Sequence, residues 1–131
     1  LQQDVLSASV VMDSGVPFVQ VPCLPVASHL MTTTPEMEVY VKGKGAIGDY
    51  LYEIFIEYGG DKYAYSKVIW DMAAVAYLLN PRWTQTETIH SPILSVDRVT
   101  WGFDNSRHFI GMVKSLNRDA IFGDFFLKLE E

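Results

Sequence analysis

Apolar residues recur along this chain with two different periods, and the alternation between them predicts its architecture. From Gln3 to Ser14, Val5, Ala8, Val11 and Met12 share one face at helical spacing, and Gly15 follows as a natural stop. Pro17 to Pro22 is a short β-rich run bracketed by prolines, of the kind a buried parallel strand shows. The stretch from Val26 to Thr34 fits neither period cleanly. Pro35 then suits the first turn of a helix carrying Met37, Val39, Tyr40 and Val41. After Gly43-Lys44-Gly45 comes the clearest helical pattern of all, with Ile47, Tyr50, Leu51, Ile54, Phe55 and Tyr58 on one face and Gly59-Gly60 at its end.

A second strand, Lys67-Val68-Ile69-Trp70, leads through Asp71 into an apolar helix reaching Leu79, closed by Asn80-Pro81. Gln85 to Ser95 alternates apolar residues with threonines, Val99–Phe103 and His108–Val113 read as further strands, and Asn117 to Glu131 places Ile121, Phe122, Phe125 and Leu129 on one helical face. Strands alternating with helices predict an α/β fold with an open, mostly parallel sheet flanked by helices. Consecutive strands without an intervening helix in the last third predict an antiparallel ribbon at one edge. There is no internal repeat, linker or low-complexity tract, so residues 1–131 read as a single domain.

Composition narrows the function classes. With 49% hydrophobic and 20% charged residues the chain is too rich in core material for disorder. A formal charge of −6 supplies no basic stripe for a phosphate backbone, so nucleic acid is not an expected partner. One cysteine, Cys23, closes no intramolecular disulfide; between two prolines it reads as a small buried residue. No apolar run approaches the ~20 residues that span a bilayer and no signal-peptide pattern opens the chain, so no membrane partner and a cytoplasmic location are expected. The opening Leu1-Gln2-Gln3-Asp4 lacks an initiator Met and already carries a helical pattern, which raises the expectation of a fragment or processed product.

In open α/β sheets, ligands gather at the carboxyl ends of strands, which draws attention to Asp71. An aspartate there serves either as cap of the following helix, accepting a backbone N–H, or as one oxygen ligand of a hard cation such as calcium or magnesium. Trp70, Tyr63 and Tyr65 are aromatic residues at the mouth of the sheet, suited to stacking on a planar ring or to core packing. His29, His90 and His108 are scattered, each a surface or loop residue when taken singly. There is no Gly-rich phosphate loop, metalloprotease helix motif or serine nucleophile elbow.

Two segments together carry a family resemblance. Val10-Val11-Met12-Asp13-Ser14-Gly15-Val16-Pro17-Phe18-Val19-Gln20-Val21-Pro22-Cys23 and Trp70-Asp71-Met72-Ala73-Ala74-Val75-Ala76-Tyr77-Leu78-Leu79-Asn80-Pro81 resemble the C-terminal half of the inosine-uridine preferring nucleoside hydrolases. The second is the more specific, because in that family a strand ends in a calcium-binding aspartate that opens the helix Asp-x-x-Ala-Val-Ala-Tyr-Leu, and that position is Asp71 here. The resemblance implies hydrolysis of a ribonucleoside N-glycosidic bond to ribose and free base. Calcium would hold the ribose hydroxyls and the attacking water, and an aspartate would take the water's proton.

The chain departs from the family in two places. The Asp-x-Asp-x-x-x-Asp-Asp cluster near the family's N-terminus, which supplies the general base and most metal ligands, is absent from these residues, as is a Glu-Phe-Asn stretch. The histidine that many members carry before the metal aspartate is replaced by Trp70, which has no proton to give but can stack on a purine. What the resemblance implies is therefore a C-terminal portion, inactive alone. Asp71 would be a calcium ligand, Trp70, Tyr63 and Tyr65 would bind substrate, purines would be preferred, and the chain would form a homo-oligomer or pair with its missing N-terminal half. The competing expectation is a non-catalytic nucleoside hydrolase-like binding or assembly module. A flavodoxin-like or sugar-binding domain ranks below both.

Overall fold

A computed structural model describes residues 4–95, 97 and 100–130. They form a mixed α/β fold with a partly parallel sheet and flanking helices. In chain order the elements are α1 (Val5–Asp13), β1 (Val19–Gln20), β2 (Met31–Thr33), α2 (Thr34–Tyr40), α3 (Gly45–Gly59), β3 (Ser66–Val68), α4 (Met72–Leu79), β4 (Thr84–His90), β5 (Ile93–Ser95), β6 (Thr100–Gly102), β7 (Phe109–Leu116) and α5 (Arg118–Lys128). Short 3-10 turns occupy Ala27–His29 and Pro81–Trp83.

Three strands share a sheet in the order β1, β7, β4, with β1 parallel to β7 and Val19 opposite Gly111. β5 and β6 pair antiparallel, Ile93 with Gly102 and Ser95 with Thr100, and form the expected ribbon. Val99, at the start of the strand expected there, lies outside the described residues, as do Gln3 and Glu131 at the outer limits of the terminal helices. β2 and β3 form a separate antiparallel pair, Met31 with Val68 and Thr33 with Ser66. The stretch of mixed period from Val26 to Thr34 thus resolves into a 3-10 turn followed by β2, and it is β2 that gives β3 its hydrogen-bonding partner.

The chain divides into two compact units, Leu1–Gln20 with Thr86–Val113, and Val21–Gln85 with Lys114–Glu131. In the first, Met12, Leu94 and Ile110 are buried, with Ala8, Phe18 and Ile89 packed against them. Asp4 caps α1 by accepting from the Ser7 amide at 2.8 Å, and Gly15 at φ +72° turns the chain away where a side chain would be strained. Buried Ser91 donates its hydroxyl to the Met12 carbonyl at 2.6 Å, and Arg107 donates to the same oxygen at 2.8 Å.

In the second unit, Ala27, Leu30, Ala73, Ala76, Ile121 and Phe122 form one cluster and Met37, Val41 and Phe55 another, with Phe125 and Phe126 packed against both. α5 turns Ile121 and Phe122 inward as its spacing predicts. α3 behaves differently: of its apolar stripe only Phe55 is fully buried, beside Gly48 and Gly59, while Ile47, Tyr50, Ile54 and Tyr58 stay exposed. Cys23, expected to be buried, is exposed, because Pro22 and its neighbours form a surface turn ahead of Ala27–His29. Among the described residues, no helix is long and apolar enough to cross a membrane.

Candidate functional site

β3 ends at Val68, and the Ile69 amide donates to the Leu30 carbonyl at 2.9 Å, so pairing along β2 holds the chain up to the start of the turn. Trp70 and Asp71 form that turn, and α4 begins at Met72. Trp70 is 41% exposed, with its indole offered to solvent in part. Asp71 takes the N-cap position of α4, yet its side chain accepts no cap hydrogen bond. The reason lies in its backbone: a capping residue accepts from the first-turn amides with β-region dihedrals, whereas Asp71 is already helical at φ −74° and ψ −20°. The capping role that its position invites is therefore unfilled, and the exposed carboxylate is uncommitted to its helix.

The two tyrosines part company. Tyr63 is 100% exposed on the turn that leads into β3. Tyr65 sits against Phe55, with ring centroids 5.3 Å apart, and over Gly59, where an added Cβ would come within 2.7 Å of its ring. Among the described residues no ring stacking or hydrogen bond joins either tyrosine to Trp70 or Asp71. The structure thus brings together Trp70 and Asp71 alone, and leaves Tyr63 and Tyr65 on the preceding segment.

Calcium takes six to eight oxygen ligands, and a single carboxylate offers at most two. Among the described residues no group of three or more His, Cys, Asp or Glu side chains is placed to hold a metal ion. The described residues do not by themselves make a calcium centre. His29 is exposed in its 3-10 turn, while His90 places Nδ1 2.7 Å from the Arg107 carbonyl and its ring on Phe109.

Sequence spacing did not point to a polar cleft of about 740 Å³ in the second unit, lined by His29, Arg82, Trp83, Asn117, Arg118 and Asp119 among others. These residues come from three segments far apart along the chain, and no periodic signal links them. Arg118 is fully engaged there. Its guanidinium donates to both Glu36 carboxylate oxygens at 2.6 Å and to the Met31 carbonyl, and it pairs with Asp119 at 3.1 Å. Burial by itself pushes the Glu36 carboxyl up, but hydrogen bonds from Arg118, Thr32 and the Thr33 amide, with the Arg118 charge, outweigh it and hold it below the ordinary glutamate range. This cluster ties β2, α2 and α5 together.

Taken together, the strand pairings, the turn at Trp70-Asp71 and the helices around it make up a mixed α/β fold. Among solved structures, a plant nucleoside hydrolase superposes with a TM-score of 0.77 at 13% sequence identity, covering 95% of this chain and 45% of that one. The chain thus spans less than half the length of that structure. No protein-family profile and no curated protein sequence matches it. At this identity the likeness is one of fold, and it bears out the architecture that the sequence predicts.

Proposed function

We propose that the chain is the nucleoside-base side of a ribonucleoside N-glycosidic hydrolase. In this reading Trp70 stacks on the base, purines ahead of pyrimidines, and Asp71 gives one oxygen donor to a calcium ion whose other donors lie outside the described residues. The supporting observation is the pairing, at one strand-to-helix turn of a nucleoside hydrolase-like fold, of a partly exposed indole with a carboxylate that its own helix does not use.

The reaction breaks the C1′–N bond, joins a water oxygen to C1′ and leaves the bonding electrons on the base, which takes up a proton. Trp70 cannot supply that proton. Its electron-rich face can stabilise the protonated ring that departs, and a purine covers more of that face than a pyrimidine does. Stacking of this kind is worth ~1–3 kcal/mol per base. Tyr63, free on its turn, can close over the base from the preceding segment. Tyr65, held by Phe55, fixes that segment in place.

Fluorescence titration tests this, in a background where Trp83 and Trp101 are replaced by Phe so that emission reports Trp70. Inosine is expected to quench Trp70 with saturation at lower concentration than uridine, and, once a segment carrying the remaining oxygen donors is added to the chain, calcium is expected to tighten inosine binding when Asp71 is present but not in Asp71→Asn. Equal, non-saturating quenching by both nucleosides would reduce Trp70 to a surface residue and leave the likeness as one of fold only.

A further inference from the structure

The polar cleft of about 740 Å³ in the second unit is walled by hydrogen-bond donors that the described residues leave unused. Its frame is fixed. The Asn80 side chain accepts from the Arg82 amide at 3.2 Å, and the Trp83 carbonyl accepts from the Asn117 amide at 2.7 Å, which ties the turn Pro81–Trp83 to the start of α5. The Arg82 guanidinium, by contrast, has no hydrogen bond or ion pair among the described residues, and neither has the exposed His29 ring. Gln85 accepts from the Ser115 hydroxyl at 3.0 Å through Oε1, and Asn117 accepts from the Ala120 amide through Oδ1. Among the described residues the side-chain N–H groups of both amides are therefore without a partner. Arg118 is taken up by Glu36 and Asp119, so the cation left over on the cleft wall is Arg82.

We propose that this cleft binds a small phosphorylated, hydroxyl-bearing molecule, a sugar or polyol phosphate. Its phosphate meets Arg82 and His29, and its hydroxyl groups lie along Gln85, Ser115 and Asn117. A guanidinium presents paired N–H donors that match the oxygens of a phosphate, and an imidazole adds a donor whether neutral or charged. In a chain of net charge −6, a wall whose unpartnered groups are donors and whose spare charge is positive selects an anion over a cation. The pinned backbone under Arg82 confines the ordering cost of binding to the side chain. A bare phosphate, a few times the ~30 Å³ of a water molecule, fills little of a cleft whose volume lies within the ~300–1,000 Å³ usual for small-molecule sites. The rest of the ligand meets amides, hydroxyls and the half-buried Trp83, which suits a hydroxylated body better than an alkyl one.

Isothermal titration calorimetry of the purified chain with glycerol 3-phosphate, inorganic phosphate and glycerol tests the inference. Glycerol 3-phosphate is expected to bind saturably, inorganic phosphate to bind about threefold or more weakly for want of the hydroxyl contacts, and glycerol not to bind. Arg82→Ala is expected to weaken glycerol 3-phosphate by about tenfold or more, because charge-assisted hydrogen bonds are lost. Arg82→Lys, which keeps the charge without the planar fork, should fall between, and His29→Ala should lose less than Arg82→Ala. Both residues are exposed and unpartnered, so circular dichroism should show the variants folded. Lys42→Ala, which removes an exposed charge outside the cleft, should leave binding unchanged. No saturable binding of either phosphate compound, or a loss in Arg82→Ala no larger than that in Lys42→Ala, would overturn the proposal. Inorganic phosphate binding as tightly as glycerol 3-phosphate would overturn the hydroxyl-bearing body of the ligand. None of these probes carries a base, so the outcome stands or falls separately from nucleoside quenching at Trp70.

Discussion

Three acidic or amide side chains stand at α-helix N-caps among the described residues, and two of them cap. Asp4 accepts from the Ser7 amide and Asn117 accepts from the Ala120 amide at 3.1 Å, whereas Asp71 accepts from none. Asn117→Ala is accordingly expected to cost about 1 kcal/mol in urea unfolding. Asp71→Asn should stay within ~0.5 kcal/mol of the parent, since an exposed side chain without a partner has little to lose. A loss at Asp71 as large as that at Asn117 would show that its carboxylate does cap α4. Glu36 is the residue where pH should be felt. Its folded carboxyl titrates below the ordinary range, so its contribution is fully present above that range and disappears as pH falls through the folded value. Glu36→Gln should cost ~1–3 kcal/mol at neutral pH, because Arg118 loses its charged partner in a half-buried place. The variant's stability should also fall less steeply than the parent's as pH is lowered through and below the ordinary glutamate range. Asp4, Asp13 and Asp104, held low chiefly by hydrogen bonds from Ser7, Arg107 and Ser106, titrate in both proteins, so the difference between the two curves isolates Glu36.

At the scale of elements, the helical periods at Val5–Asp13, Gly45–Gly59 and Arg118–Lys128 were legible because apolar spacing and terminal glycine or asparagine agree there. The pairing of β3 was not. A strand of three residues carries no mark of its partner, and β2, which supplies it, lies in a stretch with no clear period. The exposed stripe of α3 was likewise illegible: periodicity tells which residues share a face, but not whether anything covers it. Two helical glycines show how packing decides what propensity cannot. Replacing glycine by alanine inside a helix ordinarily gains about 1 kcal/mol. At Gly123 in α5 an added Cβ meets nothing within 4 Å, so Gly123→Ala should show that gain. At Gly48 in α3 the same atom would come within 2.5 Å of the Val41 carbonyl oxygen, a backbone atom that cannot swing aside. Gly48→Ala should therefore destabilise, by ~1–3 kcal/mol, and melting curves of the two variants should move in opposite directions.

For the molecule as a whole, the fold class was readable from the order of elements and from two segments resembling nucleoside hydrolases, and the superposition over 95% of the chain agrees with it. The candidate site was readable only at Trp70 and Asp71, which are neighbours in sequence and therefore neighbours in any fold. Tyr65 could not be told from Tyr63 by spacing, because what separates them is Phe55 and Gly59, brought in by tertiary packing. This bears on what the chain does unaided. Cleaving a ribonucleoside requires a group to activate water as well as a surface to hold the base. Among the described residues no group of three or more His, Cys, Asp or Glu side chains is placed to hold a metal ion, and the Asp-x-Asp-x-x-x-Asp-Asp run that the resemblance implies as source of the general base is not in the sequence. Stacking worth ~1–3 kcal/mol binds a base, but it is far short of the 8 kcal/mol or more by which enzymes lower barriers. The purified chain is therefore expected to quench on binding inosine yet release no reducing sugar from inosine, guanosine or uridine, with or without calcium. The control is Asp71→Asn under the same conditions. Sugar release that rises with the concentration of the chain and vanishes in Asp71→Asn would mean that these residues already suffice for catalysis, with Asp71 at its centre.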